Sequence, residues 1–444
     1  MNKQKTVAFK TLGCRLNLYE TDALASEFAK KDYRVVDFNE KADLYVINTC
    51  TVTNQSDQKS RREINVAHRT NQEGITIVTG CMATNYKEQL GKNEAVDYVV
   101  DNDHKTSVLS VAEAHFNGEL VDVNNFEANL FSYAPADETF HTRSLIKIQD
   151  GCDNFCTFCI IPKVRGRATS RPPEEIFENI RQVVGFGYKE IVLTGVNLGR
   201  YTYEGYDFEK LVEEILDIPG DFRVRISSIE PDGYTDSFFR LFNHPKLTPH
   251  LHICLQSGSE EILLKMRRMY TAYFFKKMAH QLKTLHPGFN LTTDVIVGFP
   301  EETEAHFQET MATIEEIGFG HIHTFKYSVR KGTRAERMPE QIRGNVKTER
   351  SEAVRKLADD MKLAYRKSFV GKTQRVLVEK LMPDGSASGF GEHYIPVLIQ
   401  DSGLKTNTFY EVHIHNIIDL EEPVLAGKVK SSTEEFAKFN VKNV

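Results

Sequence analysis

Three cysteines stand close together in the segment GCDNFCTFC, where Cys152, Cys156 and Cys159 follow a C-x3-C-x2-C spacing. A loop this short brings three thiolates within reach of one compact metal centre. A cubane iron–sulfur cluster held by three cysteines keeps one iron open to a small-molecule ligand. A zinc site with a remote fourth ligand and a set of unliganded thiols are the alternative explanations of the same spacing.

Three further cysteines are far apart in sequence, yet each follows an apolar strand pattern. Cys14 ends the phrase TLGC, Cys50 ends INTC and Cys81 ends VTGC. In an open parallel sheet the carboxyl ends of neighbouring strands lie side by side and form the ligand crevice. We therefore expect these thiols to converge on a second cluster, with buried structural cysteines as the alternative. The seventh cysteine, Cys254, lies inside an apolar strand pattern and is expected to be a small core residue.

The first part of the chain must position the scattered trio. Residues 1–121 alternate the strand patterns VAFKTLG, DLYVINT, ITIVTG and VDYVVD with helical patterns. This alternation predicts an open parallel α/β domain. In residues 122–143 the pattern dissolves, which indicates a linker.

A second alternation of strands and helices positions the cysteine loop. Residues 144–370 contain six strand patterns, which are too few for an eight-fold barrel and predict a partial (β/α)6 barrel followed by a basic helix. The loop comes directly after the first of these strands, where such a barrel carries its chemistry, and this favours the iron–sulfur explanation. Short strands separated by turn residues predict a small all-β barrel over residues 371–434.

Polar groups recur at the carboxyl ends of the predicted barrel strands. Such groups suit the orientation of a polar cofactor, and capping of the following helices is the alternative. The candidates are Gly195, Asn197, Ser227, Ser228, Glu230 and Gln256, with Asp294 inside the fifth strand.

Composition and charge restrict the class of protein. The 444 residues are 40% hydrophobic and 27% charged, which is typical of a folded chain. No apolar run reaches the roughly 18 residues that span a bilayer. The amino terminus lacks the apolar stretch of a secretory signal, so the seven cysteines are expected in a reducing, cytoplasmic compartment.

Charge is segregated along the chain. The net charge of −6 excludes a uniformly basic nucleic-acid binder, but residues 331–380 carry 14 basic and 7 acidic side chains. A basic belt from the cysteine loop to the last barrel would meet phosphates, whereas a solvated helix with internal ion pairs is the alternative. The candidate residues of this belt are Lys163, Arg165, Arg167, Arg171, Lys347, Arg350, Arg355 and Lys356.

The motifs together resemble a known enzyme family. The segments TLGCRLNLYET, NTCTVT, VTGC and QDGCDNFCTFCIIPKVRGRATSRPP are similar to those of the radical S-adenosylmethionine methylthiotransferases, and Phe158 occupies the aromatic position of their cysteine loop. The resemblance covers nearly the whole chain and implies a C-terminal TRAM barrel, similar to oligonucleotide-binding (OB) barrels. It implies two 4Fe-4S clusters held by the two cysteine trios, and S-adenosyl-L-methionine contacted by Phe158 and by the strand-end residues.

The resemblance also implies a substrate and a reaction. The segments RISSIEP, TTDVIVGFP and YSVRKGT most resemble the branch that acts on N6-threonylcarbamoyladenosine next to the anticodon of tRNA, although Glu301 replaces an expected glycine. C2 of adenine has no leaving group and no acidic proton, so a radical is a more accessible route than acid–base or nucleophilic catalysis. The implied partners of a monomeric enzyme are the tRNA anticodon stem-loop and an electron donor.

The two trios are expected to divide the chemistry. On the family pattern the Cys152 loop generates the radical, and the cluster of Cys14, Cys50 and Cys81 carries the methylsulfur group. Alternative substrates are isopentenyl-adenosine in tRNA and an aspartate of a ribosomal protein. A non-catalytic iron–sulfur protein that binds RNA is the alternative of a different class.

Overall fold

Three β-sheet assemblies follow one another along the chain. The structure is a computed structural model that describes residues 4–133, 142–418 and 422–432. They are a parallel five-stranded sheet, a six-stranded partial barrel and a closed five-stranded barrel. The predicted fold class is therefore confirmed. Residues 134–141 of the predicted linker and residues 419–421 and 433–434 of the predicted last barrel lie outside the described residues.

The amino-terminal sheet is parallel and covered on both faces. Its two central strands are buried at every position, as expected of near-continuous apolar runs in a parallel sheet, and one hydrophobic cluster lies on each face. The strand order is 2-1-3-4-5. The elements are β1 (Thr6–Thr11), β2 (Arg34–Val36), β3 (Leu44–Thr49), β4 (Ile75–Gly80) and β5 (Tyr98–Val100), with α1 (Arg15–Lys30), α2 (Asn54–Thr70), α3 (Cys81–Asn85), α4 (Lys87–Leu90) and α5 (Val108–Phe116).

The described part of the predicted linker packs against this first domain. Val123 and Tyr133 are buried in one of its hydrophobic clusters, and Tyr133 meets the ring of Tyr19 edge-on. The backbone carbonyl of Leu130 accepts a hydrogen bond of 2.8 Å from Lys147, which lies in the barrel. This segment therefore ties the first domain to the second.

The barrel has six parallel strand positions in sequence order, as predicted. Its third position is interrupted at Ser227. The six positions are occupied in order by β6 (Arg143–Lys147), β9 (Glu190–Thr194), β12 (Arg223–Ile226) with β13 (Ser228–Ile229), β14 (His250–Ile253), β15 (Asn290–Val297) and β16 (His321–Lys326). Two short antiparallel pairs lie outside this order, β7 (Gln149–Asp150) with β8 (Thr169–Ser170) and β10 (Thr202–Tyr203) with β11 (Tyr206–Asp207). The helices are α6 (Ile161–Val164), α7 (Pro173–Gly185), α8 (Phe208–Asp217), α9 (Asp236–Leu241), α10 (Glu260–Lys265), α11 (Ala272–Leu285) and α12 (Glu304–Ile317).

A long helix leads from this barrel to the last one. Helix α13 (Gly344–Lys367) packs on β16 and ends beside the closed barrel. The barrel strands are β17 (Thr373–Leu381), β18 (Ala387–Phe390), β19 (Pro396–Ile399), β20 (Phe409–Ile418) and β21 (Val424–Ser432), which close around an apolar core. Within the described ranges, no helix has both the length and the apolar character needed to cross a bilayer.

Candidate active site

The cysteine loop lies between β7 and α6, at the carboxyl end of the first barrel strand. Burial is the main cause that raises the pKa of Cys159 to about 12, and the neighbouring Cys156 and Cys152 contribute to this shift. Burial also raises the pKa of Cys156. Cys156 and Cys159 are therefore thiols until a metal displaces their protons, because metal binding requires the thiolate.

Several N–H groups point at the sulfurs of this loop. Asn197 Nδ2 lies 3.8 Å from Cys152 Sγ, and the backbone N–H of Asn154 lies 3.5 Å from the same sulfur. Arg268 Nη1 donates to Cys156 Sγ at 3.0 Å, and Arg268 is itself ion-paired with Glu230. Donors of this kind stabilise thiolates and tune the potential of an iron–sulfur cluster. The loop thus fits a cluster held by three thiolates.

A glycine with no room for a side chain precedes the first cysteine of the loop. Gly151 has a φ of +67°, and a Cβ on it would lie 2.0 Å from the carbonyl oxygen of Arg167. We expect Gly151→Ala to lower the free energy of unfolding by about 1–3 kcal/mol and to displace Cys152, because the backbone must shift. Chemical denaturation and iron content per chain measure the two effects.

Gly166 is the matched control for that substitution. It has a φ of +74°, but a Cβ there meets nothing within 4 Å. Gly166→Ala is expected to cost only about 1 kcal/mol of backbone strain and to retain its iron. Equal losses of iron in the two variants would contradict the steric explanation.

The three scattered cysteines meet at one edge of the first sheet. Cys14, Cys50 and Cys81 follow the carboxyl ends of β1, β3 and β4. A Cβ on Gly13 would lie 3.0 Å from Cys50 Sγ, and the pKa of Cys50, raised mainly by burial, is raised further by Cys81 and Cys14. Three neighbouring strands therefore place these cysteines at one edge of the sheet, and their convergence on one cluster stays a prediction.

The first trio also contacts the barrel. Cys81 packs against Ile160 and Val164, which follow the cysteine loop. Asn102 connects the two domains at this point, since its Nδ2 lies 3.7 Å from Cys81 Sγ and donates to the Val164 carbonyl at 2.7 Å. The two cysteine-bearing domains are thus in direct contact at their functional edges.

A cavity of about 590 Å³ opens at the junction of all three domains. Cys14 lines it from the first domain, and Tyr394 lines it from the closed barrel. Four of the predicted strand-end residues of the partial barrel also line this cavity: Gly195, Ser227, Ser228 and Asp294. A space of this size suits a small-molecule or nucleoside ligand.

The other predicted cofactor residues lie around the cysteine loop or behind it. Asn197 and Glu230 reach the loop sulfurs directly or through Arg268, as described above. Gln256 is buried with a φ of +64°, and its carbonyl accepts from the Ile296 N–H. Phe158 is partly buried and meets the ring of Phe299 at a centroid distance of 6.4 Å.

The expectation for Cys254 is wrong. This residue lies just beyond the end of β14 and is only partly buried. Its sulfur lies within 4.8 Å of ligand atoms of His252 and Asp294. The apolar pattern HLHICLQ is longer than β14, which ends at Ile253. The pattern therefore predicted a strand residue in the apolar core, whereas Cys254 lies beside the polar groups of His252 and Asp294.

Three of the predicted phosphate contacts are also wrong. The guanidinium groups of Arg165, Arg171 and Arg350 are buried and bound to protein acceptors. Arg165 pairs with Glu20 and Asp150, and the partners of Arg171 and Arg350 are Glu175 and Glu302 respectively. A buried guanidinium whose donors are engaged by carboxylates cannot also present them to a phosphate.

The remaining candidates of the basic belt differ in exposure. Lys163, Arg167, Arg355 and Lys356 are exposed. Lys347 is half-buried and donates to the Tyr327 carbonyl at 3.1 Å. The exposed four keep the predicted role as candidates.

Sequence reasoning missed several residues of the site. Arg15 and Asn102 lie beside the first trio, and Arg268 lies beside Cys156. Arg15 directly follows Cys14, which was a usable signal. Arg268 is 112 positions from Cys156, and nothing in the sequence pattern connects the two.

Comparison with known sequences extends over most of the chain. A family model described as "Radical SAM superfamily" matches residues 146–314, and one described as "Uncharacterized protein family UPF0004" matches residues 6–101. A threonylcarbamoyladenosine tRNA methylthiotransferase MtaB of Bacillus subtilis (strain 168) is 40% identical, over 89% of this chain and 90% of the relative. Its namesake from Thermotoga maritima is 36% identical, over 96% of this chain and 99% of the relative.

Comparison with solved structures supports the fold. The radical S-adenosylmethionine methyltransferase TsrM from Kitasatospora setae, with tryptophan and a cofactor analogue bound, aligns with a TM-score of 0.54 at 13% identity. The alignment covers 72% of this chain and 73% of TsrM. Domain matches, motif order and identity to full-length relatives agree, and the chain therefore belongs to the family of radical S-adenosylmethionine tRNA methylthiotransferases.

Proposed function

We propose that this protein attaches a methylthio group to C2 of N6-threonylcarbamoyladenosine next to the anticodon of tRNA, in the cytoplasm. One observation carries the proposal: two cysteine trios lie at strand ends of two contacting domains, and the cavity at their junction is lined by Cys14. The two relatives reported above are named for this reaction, and the chain aligns with nearly their full lengths. Both facts support the choice of substrate.

The proposal assigns a 4Fe-4S cluster to each trio. Cys152, Cys156 and Cys159 would hold one and Cys14, Cys50 and Cys81 the other. When bound, the first cluster with S-adenosyl-L-methionine supplies a carbon-centred radical, and the second supplies the sulfur that is transferred. A radical is suited to this carbon, because C2 offers no route to nucleophilic or acid–base chemistry.

The side chains around the loop position what binds there. Asn197 and Arg268 direct N–H groups at Cys152 and Cys156, and Glu230 fixes Arg268 by an ion pair. Gly195, which follows β9, and Ser228, which begins β13, line the junction cavity. Glu230, Gln256 and Phe158 complete the proposed cofactor set, and Asp294 of β15 lines the junction cavity.

The RNA is proposed to approach along the exposed basic side chains. Arg355 and Lys356 lie on α13, while Lys163 and Arg167 flank the cysteine loop. The α13 pair lies on a helix that lines the junction cavity, since Tyr365 and Arg366 of α13 reach it. The closed barrel contributes Tyr394 to the same cavity, which supports a role beside the bound nucleoside.

Charge reversal on α13 should weaken tRNA binding. We expect Lys356→Glu to raise the dissociation constant about 3- to 10-fold at moderate salt and to reduce the salt slope by about 1, because a phosphate contact is lost. Lys92→Glu reverses an exposed lysine of the first domain and is the matched control. Filter binding over a salt series measures both variants, and equal behaviour of the two would exclude this part of the belt.

The test of the proposed function is a nucleoside analysis. The protein is reconstituted anaerobically with iron and sulfide, then incubated with reductant, S-adenosyl-L-methionine and tRNA that carries or lacks the threonylcarbamoyl group. Mass analysis should find the 2-methylthio derivative only in the modified tRNA. Product on isopentenyl-adenosine tRNA instead would contradict the substrate, and absence of 5′-deoxyadenosine would favour a non-catalytic RNA-binding protein.

A further inference from the structure

Three arginines surround one tyrosine at the junction of the three domains. The guanidinium carbons of Arg15, Arg143 and Arg225 lie 5.7, 5.2 and 3.8 Å from the ring centroid of Tyr394. Tyr394 lies between β18 and β19 with a φ of +56°. Burial would raise its pKa, but Arg225, Arg15 and Arg143 together lower it below the usual value.

Positive charge exceeds negative charge at this point. Arg223 and Arg225 share Glu190, with closest distances of 2.6 and 3.0 Å between nitrogen and carboxylate oxygen. Arg143 pairs with Glu379 and lies 3.5 Å from Glu190. Together with Arg15, four guanidinium groups therefore face two carboxylates. Buried charge that is not compensated is costly, so such a site favours an anionic ligand.

Two of these guanidinium groups have unused donors. In the part of the chain that the structure describes, Arg15 forms no hydrogen bond or ion pair with an acceptor, and its contact there is the Tyr394 ring. The Nη1 of Arg225 is buried and has no hydrogen-bond partner among the described residues. Arg225 is 2% exposed, so its free donor is a desolvated group that bulk water does not satisfy.

The two arginines lie beside the place where the reaction is proposed to occur, Arg15 at the junction cavity and Arg225 at an adjoining one. Arg15 lines the junction cavity together with Cys14, the residue before it. It also lines an adjoining cavity of about 450 Å³ together with Arg143, Arg225 and Tyr394. An anion held by Arg15 would thus lie next to the first cysteine trio.

We propose that Arg15 and Arg225 bind the carboxylate of the substituent on N6 of the substrate adenosine. This inference rests on the proposed function. In adenine a single ring atom, N1, separates C2 from the carbon that bears N6. A substituent turned toward N1 about the C6–N6 bond therefore lies on the same edge of the ring as the reacting carbon. A carboxylate anchored beside Cys14 brings C2 to the cysteine trio, and a substituent without a carboxylate leaves the arginines unpaired.

The experiment compares two anticodon stem-loop RNAs that differ in one group. One carries the threonylcarbamoyl group, and the other carries the same group with its carboxylate converted to a carboxamide. We expect Arg15→Gln to raise both the dissociation constant and the KM of the carboxylate RNA about 10- to 100-fold, with a small change in kcat. The carboxamide RNA should bind wild type and Arg15→Gln alike, and Arg15→Lys should recover part of the loss.

The controls separate this role from a structural one. Arg181→Gln changes an exposed arginine on the outer helix α7 and should leave both RNAs unaffected. Iron content is measured in every variant, because Arg15 is adjacent to Cys14. Binding is measured without turnover, so that the inference is tested even if no product forms.

The outcomes that overturn the inference are distinct from failure of the proposed function. Equal weakening of both RNAs in Arg15→Gln would assign Arg15 to a backbone phosphate rather than to the carboxylate. Equal binding of the two RNAs by the wild-type protein would show that the protein has no site for the carboxylate. Absence of methylthio product, with carboxylate-dependent binding intact, would instead contradict the proposed reaction.

Discussion

Replacement of Cys152, Cys156 and Cys159 by alanine is expected to abolish both 5′-deoxyadenosine formation and methylthiolation. Replacement of Cys14, Cys50 and Cys81 is expected to abolish methylthiolation while some reductive cleavage of S-adenosyl-L-methionine persists. The reason is that each trio has its own set of positioning groups, Arg268 and Asn197 for one and Asn102 for the other. Loss of one trio therefore leaves the other with its ligands and N–H donors in place.

Each triple variant is assayed for iron, 5′-deoxyadenosine and methylthio nucleoside under anaerobic conditions. Each is expected to contain about half the iron of the wild-type protein, because each cysteine trio holds one cluster in the proposed enzyme. Cys254→Ala is the control for removal of a cysteine outside both trios and should keep its full iron content. Complete loss of 5′-deoxyadenosine in the Cys14 set, with the other cluster intact, would contradict the division of chemistry between the trios.

The second large effect is expected at Arg165, which joins the first domain to the barrel. Its Nη1 lies 3.0 Å from Glu20 and 2.9 Å from Asp150, and its Nη2 donates to Asn17 at 2.6 Å. All three partners are at most 1% exposed. Arg165→Met should lower the free energy of unfolding by about 3–5 kcal/mol, because it leaves buried carboxylates without their main cation.

Denaturant titration of the variant measures this loss. Arg167→Met is the matched control, because Arg167 is exposed and should change stability by no more than about 0.5 kcal/mol. Similar unfolding midpoints for the two variants would show that the buried network contributes little. Lys147 also contacts both carboxylates, at 3.0 Å for Glu20 and 2.6 Å for Asp150. Because this second cation remains in Arg165→Met, we expect the loss of unfolding free energy to lie at the lower end of the range.

The pH dependence of the Arg165 effect follows from the direction of the pKa shifts. Burial would raise the pKa of Glu20, but Arg165, Lys105 and Lys147 lower it well below its usual value. Arg165 and Lys147 likewise lower the pKa of Asp150 against the effect of burial. A lowered pKa stabilises the fold above the unfolded-state value of about 4 and loses that contribution as the pH falls. The difference between wild type and Arg165→Met should therefore be full above about pH 5 and shrink in acid.

The residues that local pattern could place were the cysteines and the strands. The phrases TLGC, INTC and VTGC each combine an apolar run with a thiol at its end, and parallel pairing of β1, β3 and β4 follows from such runs. The partial barrel and the single long helix α13 were predictable for the same reason. Periodicity reports which residues are buried in a regular element, and these elements are regular.

The partners of the basic residues could not be predicted. Arg165 meets Glu20 across 145 positions of sequence, and Arg350 meets Glu302 across 48. A count of charges along the chain treats these arginines as surface groups, because it contains no information about tertiary contacts. The composition of residues 331–380 therefore suggested a wider basic face than the exposed side chains provide. Arg225 lies in β12 and has an unused donor beside Tyr394. Its role could not be predicted for the same reason, because its neighbours are distant in sequence.

The ion network around Glu20 has a consequence for the way the protein matures on the ribosome. The ribosome synthesises Glu20 and Lys105 before Lys147 and Arg165. Until then, the face of α1 that bears Glu20 has only one of its three cationic partners. The newly made first domain thus exposes this face to water, and docking of the next segment seals it. Arg165 follows Cys159 in the chain, so the buried network beside the first trio is completed only after the second trio has been synthesised.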